Sequence, residues 1–197
     1  MVAGTRLTTW LTTDGEVEEL RGAEAMTRAG KETPIVCHAL ATATRLGAKS
    51  VAAYDVLELF AFARPAQFCL PTPGGLAAVL NLAPPGDAAD AAVTLQQTAQ
   101  ALLAELGATK ENRENLGAMA MIMTQSGWRW GPAVIAALGV PADSTGGALA
   151  AWRRLPERED GPNPPPPSDH AISGDAAQAQ LAELIGDGAE NRPQQFE

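Results

Sequence analysis

The side chains of this 197-residue chain whose type and spacing could do chemistry are few. Asp55, Asp90 and the turn acids Asp14 and Glu16 supply carboxylate oxygens. Such oxygens, when they converge, hold the paired divalent ions that activate water against a phosphodiester. His38 ends a short apolar run, Pro34-Ile35-Val36-Cys37, and its ring titrates near neutrality. The last residues, Glu190-Asn191-Arg192-Pro193-Gln194-Gln195, spell E-x-R-x-x-Q and bring Arg192 and Gln195 into one motif. Each carboxylate also has a plainer explanation. Asp55 stands where a helix cap belongs, and Asp90 where a first-turn carboxylate meets the positive end of the helix dipole. His38 with a hydrogen bond is equally compatible with a structural role. No phosphate-binding G-x-x-x-x-G-K-S/T is present: the pairs Gly74-Gly75 and Gly146-Gly147 lack the Lys and hydroxyl that would follow. Cys37 and Cys69 show no zinc-ligand spacing, which predicts two buried free thiols.

The elements that must position these groups follow from composition and punctuation. With 46% hydrophobic residues but only four Phe, one Tyr and four Trp, the core must be built from Ala, Leu and Val, and helix should outweigh strand. The net charge of -9 disfavours a dominant, sequence-independent grip on nucleic acid. The start of the chain carries no apolar signal core, and no run reaches the ~18 apolar residues of a membrane helix, so the expectation is a cytoplasmic protein with no membrane partner.

Asp14-Gly15 between two β-prone runs predicts a hairpin over residues 7–20, followed by a polar helix from Gly22 to Ala29. Residues 34–39 read as a buried strand and 40–46 as a short helix stopped by Gly47. Residues 51–62 read as a short strand feeding a helix capped by Asp55. Small helices over 76–80, 116–123 and 132–138 flank the clearest one, 87–106, whose stripe is Ala91, Leu95, Thr98, Leu102 and Leu106. Trp128 and Trp130 lie at a Gly- and Pro-rich junction, a setting for packing across two helices. Pro164 to Pro167 marks a stiff linker, and 175–185 a final helix. The resulting organisation is a domain over 1–155, a Pro-rich linker over 156–172 and the opening of a second domain over 173–197.

Two stretches resemble known families. The run from Tyr54-Asp55-Val56-Leu57-Glu58-Leu59 to Pro65, continued by Leu76-Ala77-Ala78-Val79-Leu80, resembles the D-T-L-E-L-A-R and L-A-x-x-L-G-L segments of DnaQ-like 3′-5′ exonucleases. Ile35 to Ala39 and Asp90-Ala91-Ala92-Val93-Thr94 keep that register. The E-x-R-x-x-Q resembles the adenine-reading motif that opens the ATPase of DinG-type DNA helicases, some of which carry a degenerate exonuclease-like domain at their N-terminus.

The resemblance implies an α/β fold, a degenerate RNase H-like, exonuclease-like domain with a helix-rich C-terminal half, then a Pro-rich linker and a short helix. It also implies that the nuclease is lost. Residues 7–11, matched to the first strand, offer Thr and Trp where the paired D-x-E belongs. Thr42 or Thr44 replaces the second motif's Asp, and Pro85 falls where the family's His should stand; His38, Asp55 and Asp90 remain as vestigial candidates. The expected role is a non-catalytic accessory domain of a DinG-type helicase, without a cofactor of its own. The motor domain in cis would be its partner, with single-stranded DNA or another protein as further partners. ATP and magnesium would belong to that motor, and Arg192 and Gln195, the adenine readers, would be inert without it. The alternatives are a residual metal-dependent exonuclease using Asp90 with Asp55 or with Asp14 and Glu16, and a free-standing acidic interaction domain.

Overall fold

The structure, a computed structural model, describes residues 1–141 and 172–185. The Pro-rich linker, Trp152 with its neighbouring arginines, and the E-x-R-x-x-Q with Arg192 and Gln195 lie outside the described residues. The chain divides into two compact units, Met1–Pro156 and Glu157–Glu197.

The first unit mixes helix and strand. The predicted hairpin is formed by β2 (Thr8–Leu11) and β3 (Val17–Leu20), antiparallel with Thr8 opposite Leu20 and Leu11 opposite Val17. Its turn closes through Thr12 N–H to the Glu16 carbonyl, 2.9 Å, and Gly15 takes φ +86, a region costly for any residue with a Cβ. The sequence reading is corrected at its start. The first strand is not residues 7–11 but β1 (Val2–Ala3), antiparallel to β2 with Val2 opposite Thr9. Two residues are too short a run to show alternation.

After α1 (Gly22–Ala29), β4 (Ile35–Val36) pairs in parallel with β5 (Tyr54–Asp55), and α2 (Ala39–Arg45) forms the crossover. The Met1 amino nitrogen donates to the Ile35 carbonyl at 2.7 Å, next to β4. The strands form two sheets, one in the order β1-β2-β3 and the other β4-β5.

Helices α3 (Val56–Ala63), α4 (Pro73–Val79), α5 (Ala88–Ala108), α6 (Arg113–Gln125) and α7 (Gly131–Leu138) complete the unit. The long α5 packs on α3, α4 and α7 and also reaches β1, β2 and β4. Its predicted stripe is its buried face: Ala91, Leu95, Thr98, Leu102 and Leu106 are all shut from solvent, meeting Leu59, Leu76, Val134 and Leu138. Each such Leu contributes about 1.5–3 kcal/mol by leaving water. Gly107, expected beyond the helix, lies inside it, and Thr109 is the C-cap. The Arg64 guanidinium pairs with Glu105 at 2.9 Å and donates to the Val79 carbonyl at 3.2 Å, so one side chain ties together the ends of α3, α4 and α5. Gly131 has no room for a Cβ, which would collide with the Thr124 hydroxyl of α6, and this lets α6 and α7 meet at a tight elbow.

In the second unit α8 (Gly174–Ile185) starts from Ser173, whose hydroxyl accepts the Ala176 N–H at 3.3 Å. Leu184 on this helix is 80% exposed. No helix among the described residues is long and apolar enough to cross a membrane.

Candidate functional site

Asp55 ends β5 and His38 stands two residues past the end of β4, at the C-terminal ends of parallel strands where open α/β sheets place their ligands. Asp55 is buried and wholly committed. Its Oδ1 accepts from Leu57 N at 2.9 Å and Glu58 N at 3.3 Å, capping α3, while Oδ2 accepts from Ala39 N at 2.7 Å in the first turn of α2. Its backbone carbonyl accepts from Trp130 Nε1 at 2.6 Å. The cap reading of Asp55 therefore holds, and the same carboxylate joins two helices. His38 is the N-cap of α2, with Nδ1 accepting the Ala41 N–H at 3.3 Å. That bond puts the ring proton on Nε2.

Asp90 sits in the exposed first turn of α5, its Oδ2 accepting the Gly86 N–H at 3.1 Å, while Asp87 caps the helix through the Asp90 N–H at 2.8 Å. The hairpin acids occupy a different place. Asp14 and Glu16 line a cleft of ≈ 550 Å³ with Trp10, Glu18, Arg28 and Glu32. There Arg28 pairs with Glu18 at 2.6 Å and Glu32 at 3.2 Å, and its guanidinium lies 4.8 Å from the centre of the Trp10 ring. Among the described residues no three His, Cys, Asp or Glu side chains converge to hold a metal ion.

The tryptophans pack across the helix junction as the sequence suggested. Trp130 is 4% exposed and its ring lies 4.9 Å from that of Tyr54; Trp128 stacks at 5.0 Å on Phe62. Trp128 Nε1 is shut from solvent and has no acceptor in full hydrogen-bond geometry among the described residues, though it lies near enough to the Glu58 carboxylate to favour its charged form. Burial first, and then the charge of Asp55, push the Glu58 carboxyl up. Glu58, Trp128, Arg129 and Met123 line a shallow cleft of ≈ 610 Å³ beside β5. Over residues 116–138, Ile122 is the large apolar side chain left exposed.

A smaller pocket of ≈ 90 Å³ opens on the other side of β4, between β1, α2 and the Pro71-Thr72-Pro73 turn. It is lined by Ala3, Cys37, His38, Thr42, Arg45 and Thr72, among others, and none of its lining residues is acidic. Arg45 reaches back to the Ala3 carbonyl at 3.5 Å and has no carboxylate partner among the described residues. Thr42 is 7% exposed and lines the pocket. The cysteines are free as expected, but half-buried rather than buried, since each packs on the core from its margin. Burial, then Asp55 and Cys69, push the Cys37 thiol up to about 12 against the opposing pull of Arg45, so it is neutral at physiological pH.

The pocket was missed in the sequence because Ala3, Arg45 and Thr72 are far apart in the chain. The usable signal was Thr42, an uncharged residue where the resemblance places an acid.

No protein-family model, curated protein or solved structure matches this chain.

Proposed function

We propose that the first unit is a non-catalytic accessory domain of a DinG-type ATP-dependent DNA helicase, built on a degenerate RNase H-like, exonuclease-related architecture. The observation that carries the fold part of this reading is the sheet. A three-stranded antiparallel meander precedes a parallel strand-helix-strand unit, and α5 packs on strands of both. This mixed α/β order supports the reading of a degenerate RNase H-like domain. The loss of catalysis is supported by the residues at the strand ends. Val2-Ala3-Gly4 carries no acid, Asp55 spends both oxygens on backbone N–H groups, and Asp90 is engaged by Gly86. Two metal ions need several converging carboxylates.

In this reading ATP hydrolysis and strand separation belong to a motor domain in cis, where ATP and magnesium bind. Arg192 and Gln195 would contribute to adenine recognition only alongside that motor. The domain itself packs on the motor or helps to place DNA.

Calorimetry with magnesium and manganese, run beside cleavage of a labelled single-stranded oligonucleotide, tests the proposal. We expect neither metal binding nor cleavage. Metal-dependent cleavage abolished by Asp90→Ala would establish the exonuclease alternative instead.

A further inference from the structure

We infer that the pocket between β1, α2 and the Pro71-Thr72-Pro73 turn is an oxyanion site that takes a phosphate group of a DNA strand without a metal ion. The choice of a strand as the source of the phosphate rests on the accessory-domain reading; the oxyanion chemistry does not.

The argument starts from polarity. In a chain of net charge -9, the residues lining this pocket include no carboxylate. What they offer is donors. The Arg45 guanidinium makes one long bond, 3.5 Å to the Ala3 carbonyl, and no ion pair, so most of its N–H groups are uncommitted. His38 Nε2–H is the ring donor left once Nδ1 accepts the Ala41 N–H. Thr72 accepts the Gly75 N–H at 3.0 Å through Oγ1, and its own proton is free to be donated. Thr42 adds a further hydroxyl-bearing residue: more than nine-tenths of it is buried, and it lines the pocket.

Size and surrounding charge agree with this assignment. A volume of ≈ 90 Å³ is about three times the ~30 Å³ that a water occupies in the liquid, enough for one tetrahedral oxyanion and too small for a base with its sugar. The Met1 amine is already bound to Ile35. The neutral Cys37 thiol adds no repulsion. The carboxylates in electrostatic reach are those of Asp55, which is held by three backbone N–H groups, and Glu58, which lines the neighbouring cleft and acts on His38 across the helix start. The arrangement inverts that of a two-metal nuclease. A guanidinium and hydroxyls stand beside the strand end where metal-bound acids would stand, so the pocket can hold a phosphate but has nothing to activate a water with.

The test uses the full 197-residue chain in EDTA, with inorganic phosphate as the first probe and labelled single-stranded oligothymidylates, 3′-phosphorylated or 3′-hydroxyl, as the second. Phosphate should move the backbone amide resonances of Thr42, Arg45 and Thr72. Arg45→Gln, at an exposed side chain, should weaken the 3′-phosphorylated strand about tenfold. It should also lower the salt slope by about 0.7, the value for one phosphate contact on a single strand. Thr42→Val, which keeps the shape and removes the hydroxyl, should weaken phosphate binding as well. Absence of phosphate-induced shifts in the wild type, or unchanged affinity in Arg45→Gln, would overturn the site. Phosphate binding without strand binding would overturn DNA as the source. Binding that appears only with magnesium and brings cleavage would instead sink the non-catalytic reading, a separately visible result.

Discussion

The indole nitrogen of Trp130 donates to the backbone carbonyl of Asp55 at 2.6 Å, across 75 residues of sequence, and so ties the end of β5 to the residue that caps the start of α7. The same Asp55 holds the starts of α2 and α3 with its carboxylate. Parallel strands, crossover helix and C-terminal helices thus meet at one residue.

Trp130→Phe keeps the ring against Tyr54 but leaves the Asp55 carbonyl without its donor. Loss of a buried partner costs about 1–3 kcal/mol. Urea unfolding should show a lower midpoint at unchanged slope, because the surface exposed on unfolding is the same.

Asp55→Asn preserves shape and removes one acceptor oxygen from a cluster of three N–H donors. One backbone N–H would be stranded, and we expect a loss of about 2–3 kcal/mol, read as a fall in Tm. Magnesium calorimetry on the same variant should match the wild type, since the carboxylate acts as a cap. A selective loss of metal binding with stability intact would refute the structural role.

Thr98 lies in the middle of α5, fully buried, with a hydroxyl that has no hydrogen-bond partner. Thr98→Val replaces that hydroxyl with a methyl of nearly the same size. Removing the desolvation penalty should raise stability by about 1 kcal/mol, measured as a higher urea midpoint. An unchanged or lower midpoint would mean that the hydroxyl is satisfied in solution.

Cys37 makes alkaline pH unfavourable. Its folded pKa of about 12 lies above the ordinary value of 9.0, so the unfolded chain loses this proton first and binds fewer protons between those values. Stability is therefore full below pH 9 and falls as the pH rises towards 12. Urea midpoints taken from pH 8 to 10.5 should decline, and Cys37→Ala should flatten the decline. The same shift predicts slow alkylation of Cys37 at pH 8, because the thiolate is the reactive form.

Much of the local structure was legible because it is written in short-range punctuation. Asp14-Gly15 gave the hairpin, Asp55 the cap of α3, and the five-residue stripe from Ala91 to Leu106 the buried face of α5. What could not be read was closure over distance. Nothing in Met1-Val2-Ala3 signals a strand, since a two-residue strand is defined by the partner it pairs with rather than by its own pattern. The pocket around Arg45 was hidden for the same reason. Its cation, hydroxyls and backbone walls come from three separate segments, and its defining property, the absence of acids, belongs to the folded surface and to no motif.

The Trp130–Asp55 contact also sets an order of events during synthesis. At about 5–20 residues per second, the 75 residues separating the two take about 4–15 s to be made. For that interval the end of β5 has left the ribosome without the indole donor that its carbonyl meets in the folded chain. The junction at Asp55 is therefore finished late, only once the chain has been made as far as Trp130.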